Sequence, residues 1–178
     1  MRYSVADIED QIIATLKADT TNFGHDVLCD TFAGQVNPQM FFNPEYMQGF
    51  VKLLPFALVS YQGRTSGKTD RDSSGKTYIH TLKFTIYVGA QSRRATQESS
   101  RSCYTMNAAV YDDLHGKVPA CTPQQLPGYT AMSGKPITTS GFNPQGPLAQ
   151  AGGQDERLIV NLPGIVVYGS DFQIRLVA

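Results

Sequence analysis

The segment from residue 63 to residue 69, Gly-Arg-Thr-Ser-Gly-Lys-Thr, comes closest to a known ligand-binding motif. It resembles a phosphate-binding P-loop, in which two glycines separated by four residues let backbone N–H groups surround a phosphate at the start of a helix. Here three residues separate the glycines, and Asp70, Arg71 and Asp72 follow, ahead of a predicted strand. The segment therefore does not predict nucleotide binding.

Metal-binding residue types are present, but their spacing is not that of a metal site. Cys29, Cys103 and Cys121 are odd in number and far apart, and none belongs to a Cys-x-x-Cys pair. His25 and Cys29 lie four residues apart, which could place two ligands on one face of a helix, but structural zinc takes four ligands. We predict packed or surface thiols, with no metal site and no disulfide framework.

The polar residues that catalysis would require do not form a recognisable set. Asp112 and Asp113 lie beside His115 at a predicted helix end, where adjacent acids point in different directions. The serines at 99, 100 and 102 lack a Gly-x-Ser-x-Gly turn and a histidine placed as their base. The charge run at 155–157 is typical of a solvent-facing segment. The sequence thus predicts a protein that is not an enzyme and has no cofactor.

Charge is unevenly distributed along a chain whose formal net charge is zero. Residues 1–52 carry three basic and seven acidic side chains, a net charge of −4, and residues 60–101 carry eight basic and three acidic ones, a net charge of +5. Separate acidic and basic stretches can give complementary surfaces to copies of one chain, although a solvated loop and a solvated helix face give the same counts. The basic loop lacks the interleaved aromatic residues that stack on bases, so we expect no sequence-specific nucleic-acid binding.

The length and apolar pattern favour one globular domain over residues 1–178. A chain of this size buries about 70% of the surface that its unfolded form exposes. The longest strongly apolar run, 53–59, is interrupted by Pro55, whereas a membrane-spanning helix needs about 20 residues. Asp7, Glu9 and Asp10 occupy the place of a signal peptide's apolar centre. We expect a protein that stays in the cytoplasm where it is made and has no membrane partner.

Helical periodicity appears twice. Ser4 and Asp7 have the spacing of a capping box, and apolar residues at 5, 8, 12 and 16 then share one face, which predicts a helix over 4–18. A second helix is predicted over 93–115, with an apolar stripe at 103, 106, 110 and 114 and Gly116 as its stop. Between them, residues 19–52 show no sustained period, and Asn37-Pro38 and Asn43-Pro44 indicate turns. The apolar residues at 40, 41, 42, 46 and 50 predict that this irregular segment is packed.

Two long strands are predicted over 53–62 and 76–89, because apolar residues alternate along both. Residues 63–75 between them contain no apolar side chain, which predicts an antiparallel hairpin with a long mobile tip. We expect this tip to be dispensable for folding and needed for assembly through an exposed charged set: Arg64, Lys68, Asp70, Arg71, Asp72 and Lys76.

The C-terminal third divides into an arm and a group of strands. Residues 117–153 hold six of the ten prolines, which predicts a Pro/Gly-rich loop or arm. Short strands follow at 158–162, 165–168 and 172–177, with turns at Pro163-Gly164 and at 169–171. The predicted fold class is α+β, with an antiparallel or mixed sheet whose long β-hairpin packs against two main helices.

Four segments resemble the Mu-like prophage tail protein family that is associated with tail termination. They are VADIEDQIIATLKAD from residue 5, LLPFALVSYQG from residue 53, KFTIYVGAQSRR from residue 83 and NAAVYDDLHG from residue 107. The resemblance covers residues 5 to about 116, and it lies in the order and pattern of the segments, not in an invariant motif.

The resemblance implies a contractile-phage tail terminator. Such a subunit forms a ring, commonly a homohexamer, that caps the tail tube and sheath and joins the tail to the neck or connector proteins on the head side. Its partners would then be copies of itself and those virion proteins, and its location the virion tail after assembly in the host cytoplasm. Alternatives are a head-tail connector or baseplate component of the same virion, or an enzyme of unknown type.

Overall fold

The computed structural model describes residues 5–68, 78–92, 96–114 and 156–177. Over these residues the elements are helix α1 (Val5–Ala18), strand β1 (Leu28–Thr31), a 3₁₀ turn (Pro38–Met40), α2 (Pro44–Leu53), β2 (Phe56–Lys68), β3 (Tyr78–Gln91), α3 (Thr96–Leu114), β4 (Glu156–Leu162) and β5 (Ile165–Val177). The strands form one mixed sheet in the order β1-β2-β3-β5-β4. The α+β prediction is confirmed.

Antiparallel pairing dominates the sheet. β1 runs parallel to β2, and the β2–β3, β3–β5 and β4–β5 pairs are antiparallel. The β2–β3 register extends from Phe56 opposite Gly89 to Lys68 opposite Tyr78, and it shifts at a bulge beside Gly63, whose φ is +116°. The connection between these strands, 69–77, lies outside the described residues.

One face of the sheet, the helix-covered face, packs against α1 and α3. α1 contacts β1 and β2, and α3 contacts β3 and β5. Because side chains alternate along a strand, every second residue of β3 points to this core. The fully buried side chains there include Leu82, Phe84, Ile86 and Val88 from β3 and Ile8, Leu16 and Val110 from the helices. The stripe predicted for the second helix, at 103, 106, 110 and 114, is buried as expected.

The opposite face is covered at one end by α2. Phe50 of α2 meets Phe56 of β2 edge-on, with ring centroids 5.8 Å apart. Gly89 lies opposite Phe56, and a Cβ atom there would come within 2.6 Å of the Phe56 ring. A glycine is therefore required where the ring crosses β3.

The segment 19–52 differs from its irregular description because it contains β1 and α2. Asn43 caps α2 by accepting hydrogen bonds from the backbone N–H groups of Glu45 and Tyr46, and Pro44 occupies the first helical turn. Asparagine before proline is a helix start as well as a turn pattern, since proline at the first helical position loses no helix hydrogen bond. The expected packing is also wrong for Phe42, which is 94% exposed, and for Met40, which is 41% exposed.

The prediction of separate strands on either side of residues 169–171 is wrong, because β5 is continuous across them. Every residue from Ile165 to Val177 is paired in register with β3. The polar side chains find partners there: Ser170 donates a hydrogen bond to the Asn107 side chain, and Asp171 accepts one from Thr85. The turn predicted at Pro163-Gly164 is confirmed, with Gly164 at φ +77°.

Further predicted features lie outside the described residues: the capping residue Ser4, the helix stop Gly116 and the arm at 117–153.

Candidate interaction surfaces

The charged set predicted at the hairpin tip is described in part. Arg64 is exposed on β2 opposite Leu82, and Lys68 is the last residue of β2, opposite Tyr78. Asp70, Arg71, Asp72 and Lys76 lie outside the described residues. The tip was expected to begin at Gly63, which is wrong: the bulge lets β2 continue for five residues, and backbone hydrogen bonds to β3 replace the missing apolar contacts.

The segment resembling a P-loop is therefore mostly strand. Residues 63–68 pair with β3 in an antiparallel ladder. A phosphate site of the P-loop type needs a loop whose N–H groups converge at a helix N-terminus. An extended strand directs its N–H groups alternately to its two sides, so this part of the segment has a different geometry.

The residues considered as metal ligands or reactive thiols are dispersed. His25 is exposed in a turn, and Cys29 is buried on β1, not on a helix. The Cys103 thiol on α3 donates to the Val166 carbonyl at 3.1 Å, and burial raises its pKa to about 12. Among the described residues, no three His, Cys, Asp or Glu side chains are grouped to hold a metal ion. His115 and Cys121 lie outside that part of the chain.

The serines and acids of α3 occupy structural positions. Ser99 is fully buried, and its hydroxyl donates to the Gly164 carbonyl at 2.9 Å, which joins α3 to the β4–β5 turn. Ser102 and Asp112 are exposed, and Ser100 and Asp113 are half-buried. These side chains do not converge on one point of the surface.

A polar network lies on the sheet face opposite α1 and α3, beyond the end covered by α2. The Thr85 hydroxyl donates to Asp171 Oδ1 at 2.6 Å, and Arg157 Nη1 pairs with Asp171 Oδ2. The hydrogen bond that Arg157 donates to Asp171 raises the pKa of Arg157. Arg157 is half-buried, so the solvent-facing prediction for 155–157 is wrong at this residue. Its partner comes from another strand, which local sequence cannot indicate.

A loop with capped ends, residues 37–43, presents apolar side chains to solvent; we call it the Phe42 loop. Phe42 is 94% exposed and Met40 is 41% exposed. The Asn37 side chain accepts from the Gln39 N–H at 3.1 Å, and the Asn43 side chain accepts from the Glu45 N–H at 2.9 Å. Capping at both ends therefore holds the backbone on either side of Phe42.

A second exposed apolar surface, the tyrosine patch, consists of Tyr104, Leu158 and Tyr168. Leu158 of β4 lies opposite Tyr168 of β5, and the rings of Tyr104 and Tyr168 meet edge-on with centroids 5.4 Å apart. Their hydroxyls are 3.3 Å apart, and this hydrogen bond is the main cause that raises the pKa of Tyr168 to about 12. Tyr104 is 54% and Leu158 48% exposed, so the patch lies at the margin of the helix-covered face.

Neither apolar surface was predicted from the sequence. Phe42 has the same apolar context in the sequence as half-buried Phe41, and the tyrosine patch joins residues that are 64 positions apart in the chain. No known protein family matches the chain, and no characterised protein matches it either. Among the described helices, none combines the length and apolar composition that a membrane crossing requires.

Proposed function

We propose that this protein is a structural subunit of a contractile-phage tail, a tail terminator that forms a ring. The ring caps the tail tube and sheath and joins the tail to the head-side neck. The specific part of this proposal comes from the resemblance of residues 5 to about 116 to the Mu-like prophage tail protein family. The structural observation that carries the assembly role is the exposure of Phe42 on a loop capped at both ends.

An aromatic side chain that stays exposed on a loop lacks the hydrophobic stabilisation that burial in an interface would supply. Phenylalanine gains little from solvent, and its burial stabilises an interface by about 1.5–3 kcal/mol. Aromatic residues and methionine are enriched at the buried centre of protein interfaces, and Met40 lies beside Phe42 on the same loop. These features support a binding role at this position.

The distribution of charge supports contacts between unlike surfaces. The Phe42 loop lies in the stretch with a net charge of −4, and α3 begins in the stretch with a net charge of +5. A ring is built from heterologous contacts, in which one surface of a subunit meets a different surface of the next. A chain with unlike stretches has the composition that such contacts require.

The position of the subunit on purified tails tests the proposed function. Tails carrying an epitope tag on this subunit would be labelled with gold-conjugated antibody and imaged in negative stain. We expect label at the head-proximal end, and tubes of abnormal length when the subunit is missing. Label at the baseplate end, or label spread along the tube, would contradict the terminator role and favour the alternatives within the virion.

A further inference from the structure

We propose that the Phe42 loop of one subunit docks on the tyrosine patch of a second copy of the same chain. This inference rests on the proposed function and adds to it the two surfaces that meet. Phe42 enters the angle between the Tyr104 and Tyr168 rings and covers Leu158. Each subunit then gives one loop and receives another.

The Phe42 loop has the properties of an interface anchor. Its ends are fixed by the Asn37 and Asn43 caps, and the Tyr46 hydroxyl accepts a hydrogen bond from the Asn37 N–H at 2.7 Å. Within the loop, Phe41 points inward, with its ring centroid 5.0 Å from that of Phe50. A preorganised loop loses little backbone conformational entropy on binding, so less of the gain from burying Phe42 is offset.

The tyrosine patch has the composition and geometry that receive such an anchor. Its two rings are inclined at 61°, and each offers part of a face and an edge to an entering aromatic ring. Aromatic pairs in offset or edge-on contact contribute about 0.5–1.5 kcal/mol beyond the area they bury. Leu158 extends the apolar surface onto β4, which is an edge strand of the sheet.

Charged residues beside the two surfaces can form one complementary pair in this docking. Glu45 is exposed in the first turn of α2, directly after the Phe42 loop. Arg101 is exposed on α3 one turn before Tyr104, so the two side chains are neighbours on the helix surface. Glu156 also borders the patch, on β4. We assign Arg101 as the group that faces Glu45 of the neighbouring subunit.

The places of the two surfaces in the fold suit a head-to-tail contact. The Phe42 loop adjoins α2 through Phe41 and Phe50, and Phe50 packs on Phe56 of the face opposite α1 and α3. The tyrosine patch is built on α3, β4 and β5 at the margin of the helix-covered face. Since the surfaces lie on opposite faces of the sheet, repeated docking leads from one copy to the next, as ring closure requires.

Association of the purified full chain tests the inference with Phe42→Ala and Tyr104→Ala, measured by sedimentation equilibrium. We expect each substitution to raise the dissociation constant by about 30-fold or more, the effect of losing an interface hot spot. Leu28→Ala, which truncates a 36% exposed apolar residue on β1, is the matched control and should leave association unchanged. Because Phe42 is 94% exposed, Phe42→Ala should also keep the wild-type melting temperature. Equal association of wild type and Phe42→Ala would overturn the inference while the ring function stands.

Charge reversal tests the assigned pair. Glu45→Arg and Arg101→Glu should each weaken association, and the double variant should recover most of the loss. Failure of the double variant to recover would overturn the Glu45–Arg101 pairing.

Disulfide cross-linking tests the same docking when association in solution is too weak to measure. In a Cys121→Ser background, the variant with Phe42→Cys and Leu158→Cys should form intersubunit disulfides on air oxidation, since the native Cys29 and Cys103 are buried. The two single-cysteine variants should not form them. Absence of the cross-link in the double variant, at high concentration and in assembled tails, would overturn the inference. The proposed function is decided separately by the position of the label on tails.

Discussion

Thr85 and Phe84 are neighbours on β3, and they are buried almost equally by two different means. Phe84 points to the helix-covered face, is 0% exposed and lies among apolar side chains of the core. Thr85 points to the opposite face, is 1% exposed and donates its hydroxyl to Asp171. One face of the strand is therefore stabilised by apolar area, and the other by a particular polar partner.

This difference determines which substitutions each face tolerates. Apolar burial is non-directional, so a core accepts changes that preserve volume and apolar character. A buried hydroxyl requires its acceptor, and the acceptor here must also bind Arg157. The helix-covered face should respond to lost volume, and the opposite face to lost pairing.

The largest expected effect is that of Phe84→Ala on the helix-covered face. Removing a fully buried aromatic ring leaves a cavity between β3 and the helices, and we expect the free energy of unfolding to fall by about 3–5 kcal/mol. A denaturant titration followed by circular dichroism measures it.

Lys83→Ala is the matched control for Phe84→Ala. Lys83 is exposed on the adjacent position of the same strand, so its truncation should change stability by less than about 0.5 kcal/mol. Equal effects of the two substitutions would mean that the packing of β3 on the helices is misassigned.

The two faces also differ in what the sequence could predict. The residues of the helix-covered face could be predicted from periodicity. The alternation along β3 and the apolar stripe at 103, 106, 110 and 114 each occur within a short stretch of sequence. The Thr85–Asp171 hydrogen bond joins residues 86 positions apart and depends on the β3–β5 register. No local pattern encodes that register.

The candidate surfaces were harder to predict than the core for the same physical reason. Phe41 and Phe42 are adjacent and identical in type, yet Phe41 packs near Phe50 and Phe42 faces solvent. The backbone that carries the two rings is held by the caps of the 3₁₀ turn and α2. The segment has no regular period from which such directions could be deduced.

A smaller effect is expected from the polar network, measured as coupling between its members. Thr85→Val removes the donor and leaves Asp171 with one partner fewer, at a cost of about 1–2 kcal/mol. In a double-mutant cycle of Thr85→Val with Asp171→Ala, we expect a coupling of at least about 0.5 kcal/mol. Urea titrations of the four proteins give this value.

The response to salt should distinguish the two interactions of Asp171, one with Arg157 and one with Thr85. The Arg157–Asp171 pair is 36% and 40% exposed, so its coupling should be about 0.2–1 kcal/mol and should decrease as salt is added. Thr85 is the buried partner in the Thr85–Asp171 hydrogen bond, so the coupling energy of this pair should change little with salt. A coupling near zero in both cycles would contradict the pairing described for this face.

The smallest effect is expected at the tyrosine patch, where the Tyr168 and Tyr104 side chains are paired but only partly buried. The hydrogen bond that the Tyr168 hydroxyl donates to the Tyr104 hydroxyl, more than burial, raises the pKa of Tyr168 from 10.0 to about 12, so the folded protein favours the neutral phenol. The stabilisation from this pair is complete below pH 10 and is lost as the pH rises toward 12. We expect no change in stability near neutral pH, and a tyrosinate absorbance near pH 10 that Tyr168→Phe does not lower, because Tyr168 is not yet ionised there.

In a Tyr104→Phe background the pKa of Tyr168 should fall, and Tyr168→Phe should then remove tyrosinate absorbance at that pH. If Tyr168→Phe lowered the absorbance equally in both backgrounds, the two hydroxyls would not be paired, and the patch would lack the ring arrangement that receives Phe42.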